Sequence, residues 1–420
     1  MEVLLRNRAA LHTLPATGLY PHQWSWDSAF TAIGLRHVSP RRAQQELESL
    51  LGAQWADGRL PQIVFDRQRD EDYSPGAAFW RSEEIPGSPA VPTAGLVQPP
   101  VHARAALAVH RADEAESRRR GFLERAHPRL LAWHGYLRTR RDRGGRGLAS
   151  IVHPWESGMD NSPAWDGPLS RVPDVRAGGP GVPRPDLRHA DPSERPSNAE
   201  YGRYLHLAAR YRDHRCDDAD AGHEFVCEDP AFNALWADAE LAMAEVAAAL
   251  GGDRAPHEAR ARELTAALEP LFSPALGTYA ARDVRTGELQ RVATVAGLLP
   301  LLLPHLPRAA ELLATLRGPR FRLGTAVMVP SHDLTAAGFD RARYWRGPSW
   351  SSTTWLLVQA LRGRGAVAEA RALGAQLRRS ALQHGFAEYV DPIDGTPHGT
   401  RAFTWTAALA LDLELDPELG

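Results

Sequence analysis

Apolar residues recur along most of the chain at the three-to-four spacing of amphipathic helices, and the stretches come in pairs. Residues 23–37 and 40–54 make the first pair, with Ser39 as cap and Pro40 at the first position of the second helix. The same spacing predicts helices over 99–112, 114–139, 197–213, 229–251, 256–272, 293–303, 306–317, 347–363, 366–384 and 400–413. Runs with strand character are short. PQIVF (61–65) and TAVMVP (325–330) fit local hairpins rather than a central sheet. About twelve helices without a fixed-period repeat argue against a solenoid. A closed double ring of six inner and six outer helices, an all-α (α/α)6 barrel, accounts for the helix count and the 420 residues. It is expected as a single catalytic domain over 1–420.

Two stretches break this rhythm. Residues 57–97 are rich in Pro, Gly and acid, and residues 161–196 are punctuated by Pro, as in PDVRAGGPGVPRPDL. Loops this long are usually functional or disordered. Both adjoin motifs that mix acidic and aromatic residues, so they are expected to form lids over a cleft. Disordered surface insertions are the alternative.

Composition narrows the function classes. A hydrophobic share of 43% and a charged share of 24% are ordinary for a globular protein with a sizeable core. The formal net charge of −2 gives no electrostatic reason to expect nucleic acid or an anionic membrane as partner. All 49 cationic residues are Arg. Lysine Schiff bases, a pyridoxal anchor and a lysine-dependent phosphate loop are therefore excluded. Cys216 and Cys227 are too few for a disulfide framework or an all-cysteine zinc site. With His214 and His223 beside them they match no zinc spacing, so two unpaired thiols or one incidental bridge are expected. The opening MEVLLRNRAALHTLP has Arg and His in its apolar run and does not read as a signal peptide. No run approaches the ~18 apolar residues of a membrane span. A cytoplasmic protein acting on a small molecule is expected, as a monomer or a homo-oligomer.

The candidate chemistry sits in four segments. YPHQWSWDSAF carries Tyr20, Trp24, Trp26 and Asp27, and HPWESGMDNSPAWD carries Glu156 and Asp160. RYWRGPSW carries Tyr344, Trp345, Arg346 and Trp350, and HGFAEYVDPIDGTPHG carries Glu388. Trp24, Trp26, Trp155, Trp165, Trp345 and Trp350 make half of the twelve Trp in the chain. Packing alone does not call for acids among them, because unpaired carboxylates are costly to bury. A sugar cleft does call for both: carboxylates and amides bond hydroxyls while flat aromatic faces stack on the ring.

Hydrolysis of a glycosidic bond needs one carboxylic acid to protonate the leaving oxygen and a carboxylate on the other side of the sugar. Asp160 is a candidate acid, beside Trp155 and Met159, whose apolar surfaces would raise its pKa. Glu388 is a candidate base, between Phe386 and Tyr389. Asp27, at a helix start, has a competing claim to be structural. DPIDG (391–395) lacks the alternating ligands of a calcium loop and reads as a turn. No nucleophile elbow accompanies His153 or His384, and zincin helices and Gly-rich phosphate loops are absent. No metal or cofactor is implied.

Taken together, WSWDSAF, ESGMDNSPAWD, YWRGPSW and FAEYVDP-x-DG, in that order, resemble glycoside hydrolase family 63. The likeness is to its short bacterial glucosylglycerate and mannosylglycerate hydrolases, and ESG-x-D also resembles the trehalases. It runs from about residue 20 to residue 410. The resemblance implies an inverting α-glycosidase on an (α/α)6 barrel, with Asp160 as general acid and Glu388 as general base. It further implies that Tyr20, Trp24, Trp26 and Asp27 hold the non-reducing sugar, opposite Trp345 and Trp350, with Gln98 as a hydroxyl partner. Larger family members carry an added β-rich N-terminal domain, whereas here the barrel begins within about twenty residues, which favours a small free substrate. A glycerate leaving group needs a cation, and Arg supplies one bidentately. ERPSNAEYGRY offers Arg195 and Tyr201, with Arg203 as a rival, and Tyr73 of the first lid could add a hydroxyl. The second lid aligns with nothing, so glucose and mannose are not distinguished. Two alternatives stand beside this reading. One is a trehalase or short-α-glucan glucosidase on the same barrel, and the other a non-catalytic sugar-binding protein.

Overall fold

The computed structural model describes residues 1–173 and 184–416. Residues 174–183 of the second expected lid lie outside the described residues. The helices Ser25–Leu35, His102–Ala112, Pro230–Ala249, Val295–Leu302, Ser351–Gly363 and Thr404–Leu415 each pack on the next, and the last packs back on the first. They close a ring. Around it lie Glu2–Arg6, Pro40–Gly52, Phe122–Arg140, Ala255–Leu268, Ala309–Arg317 and Val367–Gln383, alternating with the inner helices along the chain. This is an (α/α)6 barrel.

Sequence decides which helix goes inside. Every residue of Ser25–Leu35 is buried, as a helix apolar nearly all round requires. Pro40–Gly52 buries a stripe that includes Ala43, Leu47 and Leu51 and turns other positions outward, as an outer helix should. Its start is as expected, with the Ser39 hydroxyl accepting from Arg42 N and Pro40 in the first turn. The first and last inner helices meet almost backbone to backbone. A Cβ at Gly34 would stand 2.4 Å from the carbonyl oxygen of Ala408, so only glycine fits there.

Three of the expected helices need correction. The helix expected at 197–213 forms as Asn198–Asp213, with a Ser197/Glu200 capping box, but it stands outside both rings and packs on the short helix Ala77–Trp80. Its place among the twelve barrel helices is taken by Glu2–Arg6, which at five residues is too short to show a period. The stretch 293–303 winds as a 3-10 helix, Val295–Leu302, with Pro300 inside it lacking the amide an α-helix would use. The stretch 114–139 divides into Glu114–Arg120 and Phe122–Arg140 at Gly121, whose φ of 60° ends the first helix.

The strands among the described residues are two residues long and lie in sheets of two or three. Ile63–Val64 makes no local hairpin and pairs instead with Gln23–Trp24, nearly forty residues earlier. TAVMVP contributes only a bridge from Pro330 to Ser349. Gln23–Trp24, Cys227–Glu228 and Ser349–Trp350 each lead directly into an inner helix. These ladders fix the loops at the end of the barrel where those helices begin.

Candidate active site

At that end lies a cavity lined by Tyr20, Trp24, Trp26, Asp27, Tyr73, Gln98, Asp160, Arg195, Tyr201, Tyr344, Trp345, Trp350 and Glu388. Its walls are aromatic. The Trp345 and Trp350 rings stack at 4.0 Å with planes 2° apart, and Tyr389 stacks behind Trp350 at 4.5 Å. Across the cavity, Tyr20 and Tyr73 both meet Trp24 edge to face. Gln98 Oε1 accepts from Trp26 N at 3.2 Å, which holds the loop after residue 97 against the first inner helix.

Asp160 ends a tightly fixed loop. Trp165 Nε1 donates to Met159 O at 2.9 Å, and Tyr204 OH donates to the Asp160 carbonyl at 3.1 Å. Asn161 Oδ1 accepts from Trp345 N at 2.9 Å, tying the loop to the opposite wall. Gly158 makes the turn, with φ of 69°. A Cβ there would meet the Trp26 ring at 2.5 Å, so the loop lies directly on that indole. Burial pushes the Asp160 carboxyl up to about 7, with the Arg195 guanidinium partly opposing.

Glu388 is held differently. Tyr20 OH donates to its Oε1 at 2.7 Å and Thr400 N to its Oε2 at 3.2 Å, while Arg195 Nη1 stands 3.6 Å from Oε1. Arg195 also donates to Tyr20 OH at 3.0 Å and lies over the Tyr344 ring at 4.3 Å. Burial raises the Glu388 pKa, and Arg195, Tyr20 and Thr400 work against the rise. Asp27, buried at the head of its helix, is pushed well above the usual carboxylate range by burial and then by Glu388 and Asp160. Of the carboxyls lining this aromatic cavity, Asp160 is raised chiefly by burial, while Glu388 is hydrogen-bonded beside a cation.

Two expected ligands lie off the cavity. Glu156 is fully buried beneath the Asp160 loop, where its oxygens accept from Val97 N (3.1 Å), Val152 N (2.7 Å) and both terminal nitrogens of Arg141 (2.6 and 2.7 Å). With every lone pair directed at protein donors, it has none for a sugar. Arg346 turns outward and forms a bidentate pair with Asp166 at 2.9 and 2.6 Å. Arg203, the rival to Arg195, donates to Val172 O at 3.3 Å and is no part of the cavity lining. The DPIDG turn is held by Asp391, whose Oδ1 accepts from Ile393 N at 2.7 Å.

Trp155, expected only as an apolar neighbour of Asp160, lines the cavity, as do Phe403, Trp405 and Asp186, which sequence reasoning passed over. For two of them a signal existed. Phe403–Thr404–Trp405 opens the last inner helix as Trp24–Ser25–Trp26 opens the first. Asp186 sits in the proline-rich stretch and gave none. It accepts from Arg184 at 2.9 and 2.8 Å, and its Oδ2 is 3.6 Å from Arg195 Nε.

Aromatic faces able to stack on a pyranose, with one carboxyl raised by burial and another hydrogen-bonded beside a cation, suit the cleavage of glycosidic bonds. The chain is a glycoside hydrolase. Residues 20–406 match the model of the mannosylglycerate hydrolase MGH1-like glycoside hydrolase domain, and the chain belongs to that family. It is 41% identical to the mannosylglycerate hydrolase of Rubrobacter radiotolerans, over 99% of this chain and 95% of that one. It is 38% identical to the glucosylglycerate hydrolase of Mycolicibacterium hassiacum, over 97% and 95%. The fold matches the GH63 mannosylglycerate hydrolase from Thermus thermophilus in complex with Tris, with a TM-score of 0.90 at 40% identity and 98% coverage of both chains. That enzyme is also known in complex with Tris and D-glycerate. No helix among the described residues is long and apolar enough to cross a membrane.

Proposed function

We propose that this glycoside hydrolase cleaves a small α-glycosyl glycerate, glucosylglycerate or mannosylglycerate, to hexose and glycerate with inversion at the anomeric carbon. Asp160 protonates the glycosidic oxygen as the bond breaks. Glu388 takes a proton from a water molecule as that water attacks the anomeric carbon from the opposite face. Trp24, Trp26 and Asp27 hold the sugar on one side and Trp345 and Trp350 on the other. Arg195, with Tyr73 and Tyr201 beside it, receives the glycerate carboxylate. Segments 57–97 and 184–196 act as lids that exclude bulk water once substrate is bound.

One observation carries this reading. A carboxyl raised to about 7 shares its cavity with a second carboxyl kept beside a guanidinium and a phenol hydroxyl. That is the asymmetry an acid and a base require. The substrate class is supported by the names of the relatives, which include both a mannosyl- and a glucosyl-glycerate hydrolase, so the choice of sugar stays open. A charged glycerate also gives the buried Arg195 a purpose that trehalose would not. A cytoplasmic site of action belongs to the same reading, because a charged glycoside does not cross a bilayer unaided.

Proton NMR of the purified protein with α-glucosylglycerate, α-mannosylglycerate and trehalose tests it. Expected is cleavage of at least one glycerate substrate, with β-hexose appearing before mutarotation. Cleavage of trehalose alone would overturn the assignment of Arg195, and α-hexose appearing first would overturn inversion.

A further inference from the structure

Arg195 stands on a strap, residues 184–196, made of two short 3-10 turns, Pro185–Arg188 and Pro192–Glu194, with no long helix to hold it. A guanidinium meant to meet a ligand's carboxylate needs a fixed position, and such turns do not fix one by themselves. The strap is fastened at the residue next to Arg195. Glu194 Oε1 accepts from His398 Nδ1 at 2.6 Å, and Glu194 Oε2 accepts from Gly399 N at 2.9 Å. Tyr389 OH donates to the Glu194 carbonyl at 3.1 Å. The partners Tyr389 and His398 belong to the β-hairpin Tyr389–Val390/Pro397–His398, which begins one residue after Glu388, and Gly399 follows it directly. At the other end of the strap Arg184 donates to Asp186, Asn198 Oδ1 and Pro196 O and lies over the Tyr201 ring at 4.2 Å. Hydrogen bonding holds the Glu194 carboxyl below its usual range against the opposing effect of burial, so it is ionised and the His398 nitrogen is the donor.

From this contact we infer that the Glu194–His398 pair is the positioning device for Arg195: it latches the strap to the hairpin of the base and sets the guanidinium between Tyr20, Tyr344 and Glu388. Neither residue lines the cavity. The inference rests on the proposed function, since Arg195 is assigned to the glycerate carboxylate there. It adds that recognition of the anionic half of the substrate depends on a contact outside the cavity.

A double-mutant cycle on the glycosyl glycerate that the wild type cleaves provides the test. His398→Phe keeps a ring against Tyr389, 6.1 Å away, and removes the donor; His398→Gln keeps a donor. Expected is a rise in KM of about tenfold for His398→Phe, the scale of one hydrogen bond to a charged group. kcat should change less than threefold, and His398→Gln should recover most of the loss. In an Arg195→Ala background the same His398→Phe change should add nothing. An unchanged KM overturns the inference. So does a loss that persists undiminished without Arg195, because the pair would then act on the Glu388 hairpin or on general stability. If the wild type cleaves neither glycerate substrate, the proposed function fails before any variant is compared.

Discussion

Asp160 and Glu388 differ in what surrounds them, and the pH behaviour follows from that. Asp160 has burial and few donors, so it stays protonated up to about 7. Glu388 is raised by burial against an Arg, a phenol and an amide. In the proposed mechanism turnover needs Glu388 ionised and Asp160 protonated. The rate should therefore rise with pH through a Glu388 limb above the ordinary glutamate range and fall through an Asp160 limb near 7. Tyr20→Phe removes a hydrogen bond that favours the Glu388 carboxylate, so the acid limb of kcat/KM should move to higher pH while the alkaline limb stays. An unmoved acid limb would count against Glu388 as the base. Asp160→Asn and Glu388→Gln should each lower kcat by about 10²–10⁴-fold without unfolding the chain, as circular dichroism would confirm. Asp160 also makes a stability statement. A carboxyl raised in the fold contributes stability below its unfolded value, near 4, and loses it as pH rises through about 7. Asp160→Asn is thus expected to melt higher than the wild type at pH 8, with the advantage gone at pH 4.

At the scale of elements, the segment 150–160, with only the two-residue strand Ser150–Ile151 and the 3-10 turn Pro154–Ser157, shows how the position proposed for the acid is made rigid. Glu156 and Arg141 form a fully buried bidentate pair below it, and Arg141 Nε donates to Tyr136 OH at 2.8 Å and lies 3.1 Å from Asp218. Asp218 in turn accepts from Tyr136 and Tyr211, both at 2.7 Å. This network ties the outer helix Phe122–Arg140, the loop at residue 97 and the loop at 216–218 to the segment that ends in Asp160. Arg141→Leu leaves Glu156 buried without its cation and Asp218 with Arg59 alone, 3.4 Å away. It should destabilise by about 3–5 kcal/mol in urea unfolding, a cost typical of breaking one side of a buried pair. A loss under 1 kcal/mol would mean that the network is dispensable. From sequence, Glu156 beside Trp155 looked like a sugar ligand. Its true partner lies fifteen residues upstream, and no local pattern reveals a pairing of that kind. Helix content was easier to read, because one inner or outer helix leaves its own period in the chain. Where that period failed, a local cause overrode it: Pro300 for the 3-10 helix and Gly121 for the divided one.

Over the whole molecule, the barrel closes where its two ends meet. Asn7 Nδ2 donates to Ala402 O at 2.8 Å and to Thr404 Oγ1 at 2.9 Å, and Thr404 N donates to Pro15 O at 2.8 Å. Gly34 lies against Ala408 in the same seam. Gly34→Val would force the first and last inner helices apart, at a cost of about 1–3 kcal/mol or more for overpacking against backbone. Because Trp26 and Trp405 stand at the heads of these two helices, 5.3 Å apart and edge to face, the variant should also lose activity. A Tm and a turnover rate both equal to the wild type would contradict this account of closure.

The sequence by itself determined most of the long helices, the all-α class and the four aromatic–acidic segments, because periodicity and residue chemistry are local properties of the chain. It also singled out Asp160 and Glu388, since acids among indoles are hard to explain as packing. Tertiary structure alone decided which helices enter the rings, since Asn198–Asp213 is as regular as any of them yet stands outside. It likewise decided that Glu156 faces Arg141 and Arg346 faces Asp166, and that Arg195, rather than Arg203, reaches the cavity. A side chain's partner depends on which distant segments the closing ring brings beside it, and that information is spread over the whole chain.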